Sequence, residues 1–399
     1  MLPSTHLRYL LLIGLFVVVG CGGPKPKEVA IEDAIQVDTI FTALPLEIVE
    51  PRDNPSNSAK EKLGKLLFYD PILSGDKDIS CATCHHPDMG YAEFLDISIG
   101  TNASGLGSDR KFNTPNEIPF VKRNAQTILN TAFNGIQRNQ TLSAENAPMF
   151  WDDRVQSLEN QALEPIKALE EMRGLHFSET EILHVVVDRL REIPEYKELF
   201  SVAFDEEEPI TEINLGKAIA AFERTLVTNN SRFDKFMRGD KNAISLLEKD
   251  GFEQFKKVGC VNCHNGPMFS DFKMHVLGVP ENKKLPQMDL GSADQGNKDS
   301  FAFRTPSLRN LRFTAPYMHN GSFMDLKRVL EFYEDIANGK TRNPNIPKSK
   351  FDPLVSELNL TVKEMGQIIS FLNTLNDTNF DKTIPESVPS GLPVGGNIH

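Results

Sequence analysis

CATCH, Cys81 to His85, and CVNCH, Cys260 to His264, share one pattern: two cysteines three positions apart, then a histidine. That spacing suits covalent haem attachment. Each thiol can add to one haem vinyl group, and the adjacent imidazole then reaches the iron as proximal ligand. The two copies use four of the five cysteines in the chain. A shared zinc site is one alternative, although such sites seldom carry histidine at both ends and so long an insert. A pair of redox disulfides is another, yet no thioredoxin-like βαβ pattern surrounds either copy. Two c-type haems is the working reading.

Working outward, 399 residues that are 40% apolar and 25% charged can fill real cores, with room for two domains. The formal net charge of −12 argues against nucleic acid and anionic membrane surfaces as partners. The fifth cysteine, Cys21, follows an apolar run from Tyr9 to Val19 that is too short to span a bilayer. The run ends in Val18, Val19 and Gly20, which resembles a bacterial lipoprotein cleavage box. Residues 1–21 are therefore expected to be a lipoprotein signal. The mature chain would be exported to the periplasm and lipid-anchored to a membrane through Cys21. An ordinary cleaved signal with a stray cysteine is the competing reading.

Residues 22–56 read as a polar tether, and Ser58 can cap a helix with Leu63, Leu66 and Leu67 on one face. Gly100 to Pro119 reads as a loop beside the first haem. Helical periodicity follows at Ser157 to Leu163, where Pro165 ends or kinks the next turn, then at Glu181 to Phe200 and Ile213 to Val227. A polar stretch from Asn229 to Asn242 places a domain boundary near residue 235. Ile244 to Lys257 leads into the second motif, and Asp325 to Asp335 and Thr361 to Leu375 carry the last helical patterns. Residues 377–399 turn to Pro and Gly and suggest an exposed tail. No segment shows convincing strand alternation. The expected fold is mainly α, with two tandem cytochrome-c-like haem domains at 57–235 and 236–376 and long irregular loops.

Beyond the haem motifs, RNAQTILNTAFN (Arg123 to Asn134), MFWDDR (Met149 to Arg154), LENQALEPI (Leu158 to Ile166), LEEM (Leu169 to Met172) and FRTPSLRNLRFTAPYMHNGS (Phe303 to Ser322) resemble the bacterial diheme cytochrome c peroxidases. The resemblance runs from about residue 60 to 375. It implies that peroxide reacts at the first haem and that electrons reach it through the second. By the same resemblance Gln161 and Glu171 are the distal polar residues at the peroxide site, and Pro165 crowds that pocket. Trp151, the only tryptophan, matches the family's tryptophan between the haems. Asn124, Thr314 and Pro316 match the family's calcium site, and His319 matches a family histidine near the second haem. A carboxylate such as Glu171 can move a proton from the inner to the outer peroxide oxygen.

Two positions depart from the ordinary pattern. Many members carry a displaceable distal histidine where this chain has Thr101, which implies an open iron face and no need for reductive activation. Ordinary members place a methionine ligand to the second haem where this chain has Tyr333. Tyrosine there resembles the methylamine-utilisation diheme subgroup, which oxidises tryptophans in a partner protein. Phenolate lowers the iron potential, whereas methionine raises it. Tyr333 as a core aromatic, and Met318 or Met324 as ligands, are the alternatives.

The resemblance thus implies an oxidoreductase that reduces hydrogen peroxide, with a small cytochrome c or cupredoxin as donor. Its cofactors would be two covalent haems and one calcium ion, and a homodimer is the family habit. A hole-storing diheme oxidase acting on a partner protein and a non-enzymatic diheme electron carrier are the competing classes.

Overall fold

A computed structural model describes residues 40–296 and 300–398. The signal sequence, Cys21 and most of the tether lie outside these residues. The described residues are mainly helical, and their strands are two-residue pieces in antiparallel pairs, such as Ala103–Ser104 with Lys111–Phe112.

Two helix pairs repeat one packing solution. Ser58–Tyr69 packs against Glu212–Thr225, and Leu246–Lys257 packs against Val362–Leu372. The first helix is capped by Asn57, whose side chain accepts from the Lys60 amide; Ser58, the expected cap, is the first helical residue. Ser245 with Glu248 and Thr361 with Glu364 form capping boxes at two of the other starts. In each pair a glycine lets the two backbones touch. A Cβ on Gly64 would lie 1.9 Å from the Ala218 carbonyl oxygen and 3.0 Å from the Phe222 Cβ. A Cβ on Gly251 would lie 2.0 Å from the Gln367 carbonyl oxygen and 3.0 Å from the Phe371 Cβ.

Each pair carries its own apolar core. The first gathers Leu63, Leu67, Phe68, Ile219 and Phe222, with Cys81 and Cys84 at its edge. The second is built on phenylalanine, including Phe233, Phe252, Phe255, Phe269 and Phe371, with Cys260 at its edge. Phe252 and Phe371 sit 5.0 Å apart, and Phe233 meets Phe269 edge-on at 5.2 Å.

Several expected elements are corrected. The helix expected over Glu181 to Phe200 breaks into Ile182–Glu192 and Pro194–Ala203, because Pro194 cannot continue a helix but suits the first position of the next. Pro165 likewise opens a turn, Glu164–Lys167, rather than closing one. The polar stretch from Asn229 to Asn242 contains the helix Arg232–Met237, held by a Ser231–Asp234 capping box.

The chain ends are not the free segments their composition suggests. Phe41, expected in the tether, is fully buried in the second core and stacks on Phe269 at 4.9 Å. The expected exposed tail folds back on the first core, with Val388 buried and Phe380, Leu392 and Val394 packed against it. Asp70 explains part of this return, since it accepts from the Ser390 hydroxyl at 2.6 Å and from the Tyr196 phenol at 2.6 Å.

The glycine contacts make a direct test. Gly251→Ala is expected to destabilise the protein by about 1–3 kcal/mol or more through overpacking. Gly366→Ala, on the facing helix where nothing lies within 4 Å, should stabilise it by about 0.5–1 kcal/mol through helix propensity. Denaturant unfolding of the two variants beside the parent checks both signs.

Candidate haem and peroxide site

The first motif begins at Ser80, whose extended backbone opens the single helical turn Cys81–Cys84. His85 then donates its Nδ1 proton to the Tyr91 carbonyl at 3.1 Å. The second motif begins at Gly259 in the left-handed region, and His264 donates Nδ1 to the Phe269 carbonyl at 3.0 Å. Tyr91 and Phe269 both have positive φ, 55° and 52°, so each motif turns back on itself in the same way. Burial lowers the pKa of both imidazoles. Each ring is therefore neutral, with Nδ1 protonated and Nε2 left as the nitrogen that could take an iron.

One cavity of about 730 Å³ joins the two motifs. Cys84, His85, Cys260, Cys263 and His264 line it, as do Asn124, Trp151, Gln161, Pro165, Glu171, Thr314, Pro316, His319 and Tyr333. Cys81 instead packs at the edge of the first core. The four described cysteines form no disulfide. Among the described residues, the one cluster of metal-type side chains within 4.8 Å is Cys263, Asp271 and His275. The two CxxC pairs therefore do not meet in a shared zinc site.

On the first side, Gln161 ends the turn Leu158–Gln161, and Glu171 sits in a π-helical turn, Leu169–Arg173. Single π turns recur at functional sites because they redirect a side chain. Burial pushes the Glu171 carboxyl up to about 7; Arg154 opposes the rise, and Glu170 and Glu164 add to it. Thr101 is buried and does not line the cavity. Its hydroxyl donates to Asp78 at 2.9 Å, and its amide donates to the Glu171 carbonyl at 2.9 Å.

On the second side, Tyr333 lies on the helix Leu326–Ala337, which Asp325 caps. Burial raises its phenol pKa, and the nearby Cys263 and Cys260 raise it further. Trp151 stands between the halves, donating Nε1 to the Asn124 carbonyl at 2.9 Å. Asn124 in turn donates its amide to the His319 carbonyl at 2.8 Å. The His319 ring stacks on Phe303 at 3.6 Å and meets Trp151 edge-on at 6.5 Å. Burial drives the His319 pKa down to about 3, which makes it a neutral spacer.

Arg304 was not singled out from the sequence. It is 4% exposed, lines the cavity, and donates Nε to the Phe150 carbonyl at 2.8 Å and Nη2 to Gln126 at 3.3 Å. Burial lowers its pKa to about 10, and Asp153 and Asp152 only partly compensate. A buried guanidinium facing a cavity suits the carboxylates of a haem. Two further buried acids were also missed. Glu93 bonds Ser98, and Glu223 lies near Cys81; burial raises them to about 7 and about 8. No local motif marks such acids, because tertiary burial alone defines them. Three of the four CxxCH thiols, both neutral imidazoles and a buried arginine line one cavity, with the fourth thiol, Cys81, beside it at the edge of the first core; together they fit two attached haems.

The sequence pattern of the family described as di-haem cytochrome c peroxidase matches residues 58–242. The methylamine utilization protein MauG of Methylorubrum extorquens is 33% identical over 378 residues, covering 94% of this chain and 94% of its own. The cytochrome c551 peroxidase of Nitrosomonas europaea is 33% identical over 338 residues, covering 84% and 85%. A crystal structure of a MauG-like protein associated with microbial copper homeostasis superposes with a TM-score of 0.66 at 28% identity, covering 84% of this chain and 95% of that one. With relatives at this identity over nearly its whole length, the chain belongs to the di-haem cytochrome c peroxidase family, as an oxidoreductase with two c-type haems.

Proposed function

We propose that this protein reduces hydrogen peroxide to two waters at the first haem, taking two protons and two electrons, with the electrons arriving through the second haem from a small cytochrome c or cupredoxin. The carrying observation is Glu171, a carboxyl held near neutrality in the cavity that Gln161 and His85 also line. The haems, when bound, supply the iron that coordinates peroxide and the route for electrons. Glu171 accepts the proton of the inner peroxide oxygen and returns it to the outer one. Gln161 orients the peroxide through its amide, and Pro165 narrows the space around it. Thr101, tied to Asp78 and to the Glu171 backbone, offers no ligand to close the iron face, which supports a site ready without prior reduction. The net charge of −12 favours a basic donor.

A second reading, a hole-storing oxidase acting on a partner protein, is favoured by Tyr333 in the cavity beside the second motif and by the likeness to methylamine utilization proteins. Tyr333 as an axial ligand would lower the potential of the second haem, so that it stores oxidising equivalents rather than only passing electrons.

The recurrent glycine contact and carbonyl–imidazole bond support two tandem cytochrome-c-like haem domains. Asn124, Thr314 and Pro316 share the cavity wall, which supports a calcium ion offered oxygen ligands there. Export and a lipid anchor on Cys21 complete the reading.

Glu171→Gln should lower the second-order rate constant for peroxide by about 10²–10⁴-fold. Glu171 is protonated below its pKa of about 7, so the parent rate should rise with pH up to that value and level off above it. The variant should show no such step; stopped-flow mixing across pH 5–9 (about two units either side) reads both. Tyr333→Met should raise the potential of the second haem and leave the first nearly unchanged, as spectroelectrochemistry would show. An unchanged second potential removes Tyr333 from the iron. Peroxide titration separates the two functions: fast turnover with a reduced cytochrome supports the peroxidase, and a long-lived oxidised state with poor turnover supports the oxidase.

A further inference from the structure

We propose that the C-terminal residues Gly395 to Asn397 are a positioning element for Glu171, acting through Asp78, Arg110 and the backbone of residues 99–102. This rests on Glu171 being the acid of the peroxide site.

The chain of contacts is short: Gly395, Gly396, Thr83, Gly100, Thr101 and Arg110 are buried, Asp78 and Asn102 are half-buried, and Asn397 is exposed. Asn397 donates its amide to the Asp78 carbonyl at 2.8 Å, and the Thr83 hydroxyl donates to the Gly395 carbonyl at 2.8 Å. Between them Gly396 has a φ of +78°, and a Cβ there would lie 2.4 Å from the Asp78 carbonyl oxygen. The tail therefore lies flat on the segment that leads into the first haem motif.

Asp78 and Arg110 pass this constraint on. The Asp78 carboxylate accepts from the Thr101 hydroxyl at 2.9 Å and the Asn102 amide at 2.8 Å. Arg110 is 2% exposed and bonds only carbonyl oxygens. Its Nε reaches Ile99 at 2.6 Å and its Nη2 reaches Gly100 at 2.6 Å. Its Nη1 reaches Gly105 at 3.0 Å and Asn397 at 3.2 Å. A guanidinium buried among carbonyls is a rigid fork with several fixed directions. Here it fixes the 99–105 backbone to the tail.

The last link is contact with the acid itself. Thr101 donates its amide to the Glu171 carbonyl at 2.9 Å. A Cβ on Gly100 would lie 2.1 Å from the Glu170 carbonyl oxygen and 2.8 Å from the Glu171 Cα. The π turn that aims Glu171 is thus pressed against a loop whose far side is held by the end of the chain. Displacing the tail frees that loop, and the loop frees the turn.

The test uses the full-length holoprotein, a chain ending at Val394, and Gly396→Ala. The peroxide rate constant is measured across pH, with the second haem's potential and the KM for the reduced donor as internal controls. The expected result is a loss of about tenfold or more in the peroxide rate, since small displacements at a reacting centre have effects of that size. The pH midpoint should also move acidic, because a loosened Glu171 gains water while Arg154, Glu170 and Glu164 around it stay unchanged. The second haem's potential and the donor KM should not move. A parent-like rate and midpoint in the shortened chain would overturn the proposal, as would equal disturbance of both haems. If the shortened chain does not fold, Thr101→Val decides, since it removes the hydroxyl bond to Asp78. It should give a severalfold loss with the same acidic shift, and parent-like values would again overturn the idea. Glu171→Gln is the reference: an unchanged rate in that variant sinks the peroxidase reading, whereas a slow Glu171→Gln beside normal tail variants sinks only the positioning role.

Discussion

Each CxxCH histidine donates Nδ1 to a backbone carbonyl, and each apolar core packs around the turn that makes this bond. A carbonyl can only accept, so it fixes the tautomer and turns Nε2 outward. The carbonyl can reach the ring because Tyr91 and Phe269 adopt left-handed backbone, which folds the chain back within six residues of His85 and five of His264. Bulky residues rarely sit there. The penalty is offset by burial of both rings in the two cores, where each is 0% exposed. The histidine turn and core packing are therefore one problem, solved twice.

The two halves differ most in their charges. Glu93, Glu171 and Glu223, acids that burial holds near or above neutrality, lie in the first half. One carboxylate oxygen of Glu93 and one of Glu223 has no hydrogen-bond partner. Unpaired buried acids are costly and are more stable protonated. The second half instead carries a phenol at Tyr333 and a histidine, His275, bonded to Asp352 at 2.6 Å and Asp271 at 3.0 Å. Proton chemistry at the first site and electron storage or transfer at the second are what such surroundings favour, on the reading proposed above.

Much of this was legible in the sequence, for reasons that differ by residue. The CxxCH motifs are contiguous, so spacing alone reveals them. Long helices such as Glu212–Thr225 declare themselves by periodicity. Boundaries are less visible: Asn57 and Ser58 are both good caps, and only the backbone decides between them. The tail misleads because Pro and Gly suit exposed coil, yet here Gly395 and Gly396 permit close approach of the chain to Tyr69 and Asp78. Arg110 and Arg304 gain their meaning from carbonyls and a cavity contributed by distant segments, which no local pattern encodes.

The setting of Trp151 follows from a second repeat that spacing does not expose. Asn130 and Asn310 both have left-handed backbone, and both donate their side-chain amides to the hydroxyl of Thr228, Asn310 at 2.7 Å. Asn130 also accepts from the Thr228 amide at 2.7 Å, just as Asn310 accepts from the Asp377 amide at 2.9 Å. The segments that end at these asparagines begin at Arg123 and Phe303, and their second residues hold Trp151 at two points. The Asn124 carbonyl accepts the indole Nε1 proton at 2.9 Å, while the Arg304 amide donates to the Trp151 backbone carbonyl at 2.7 Å. Arg123 is itself fixed by Asp289 and Asp152, each at 2.7 Å. Moving one half against the other would have to break bonds at both the threonine and the tryptophan. The position of the indole is therefore set by backbone geometry, through bonds that reach it from two segments far apart in the chain.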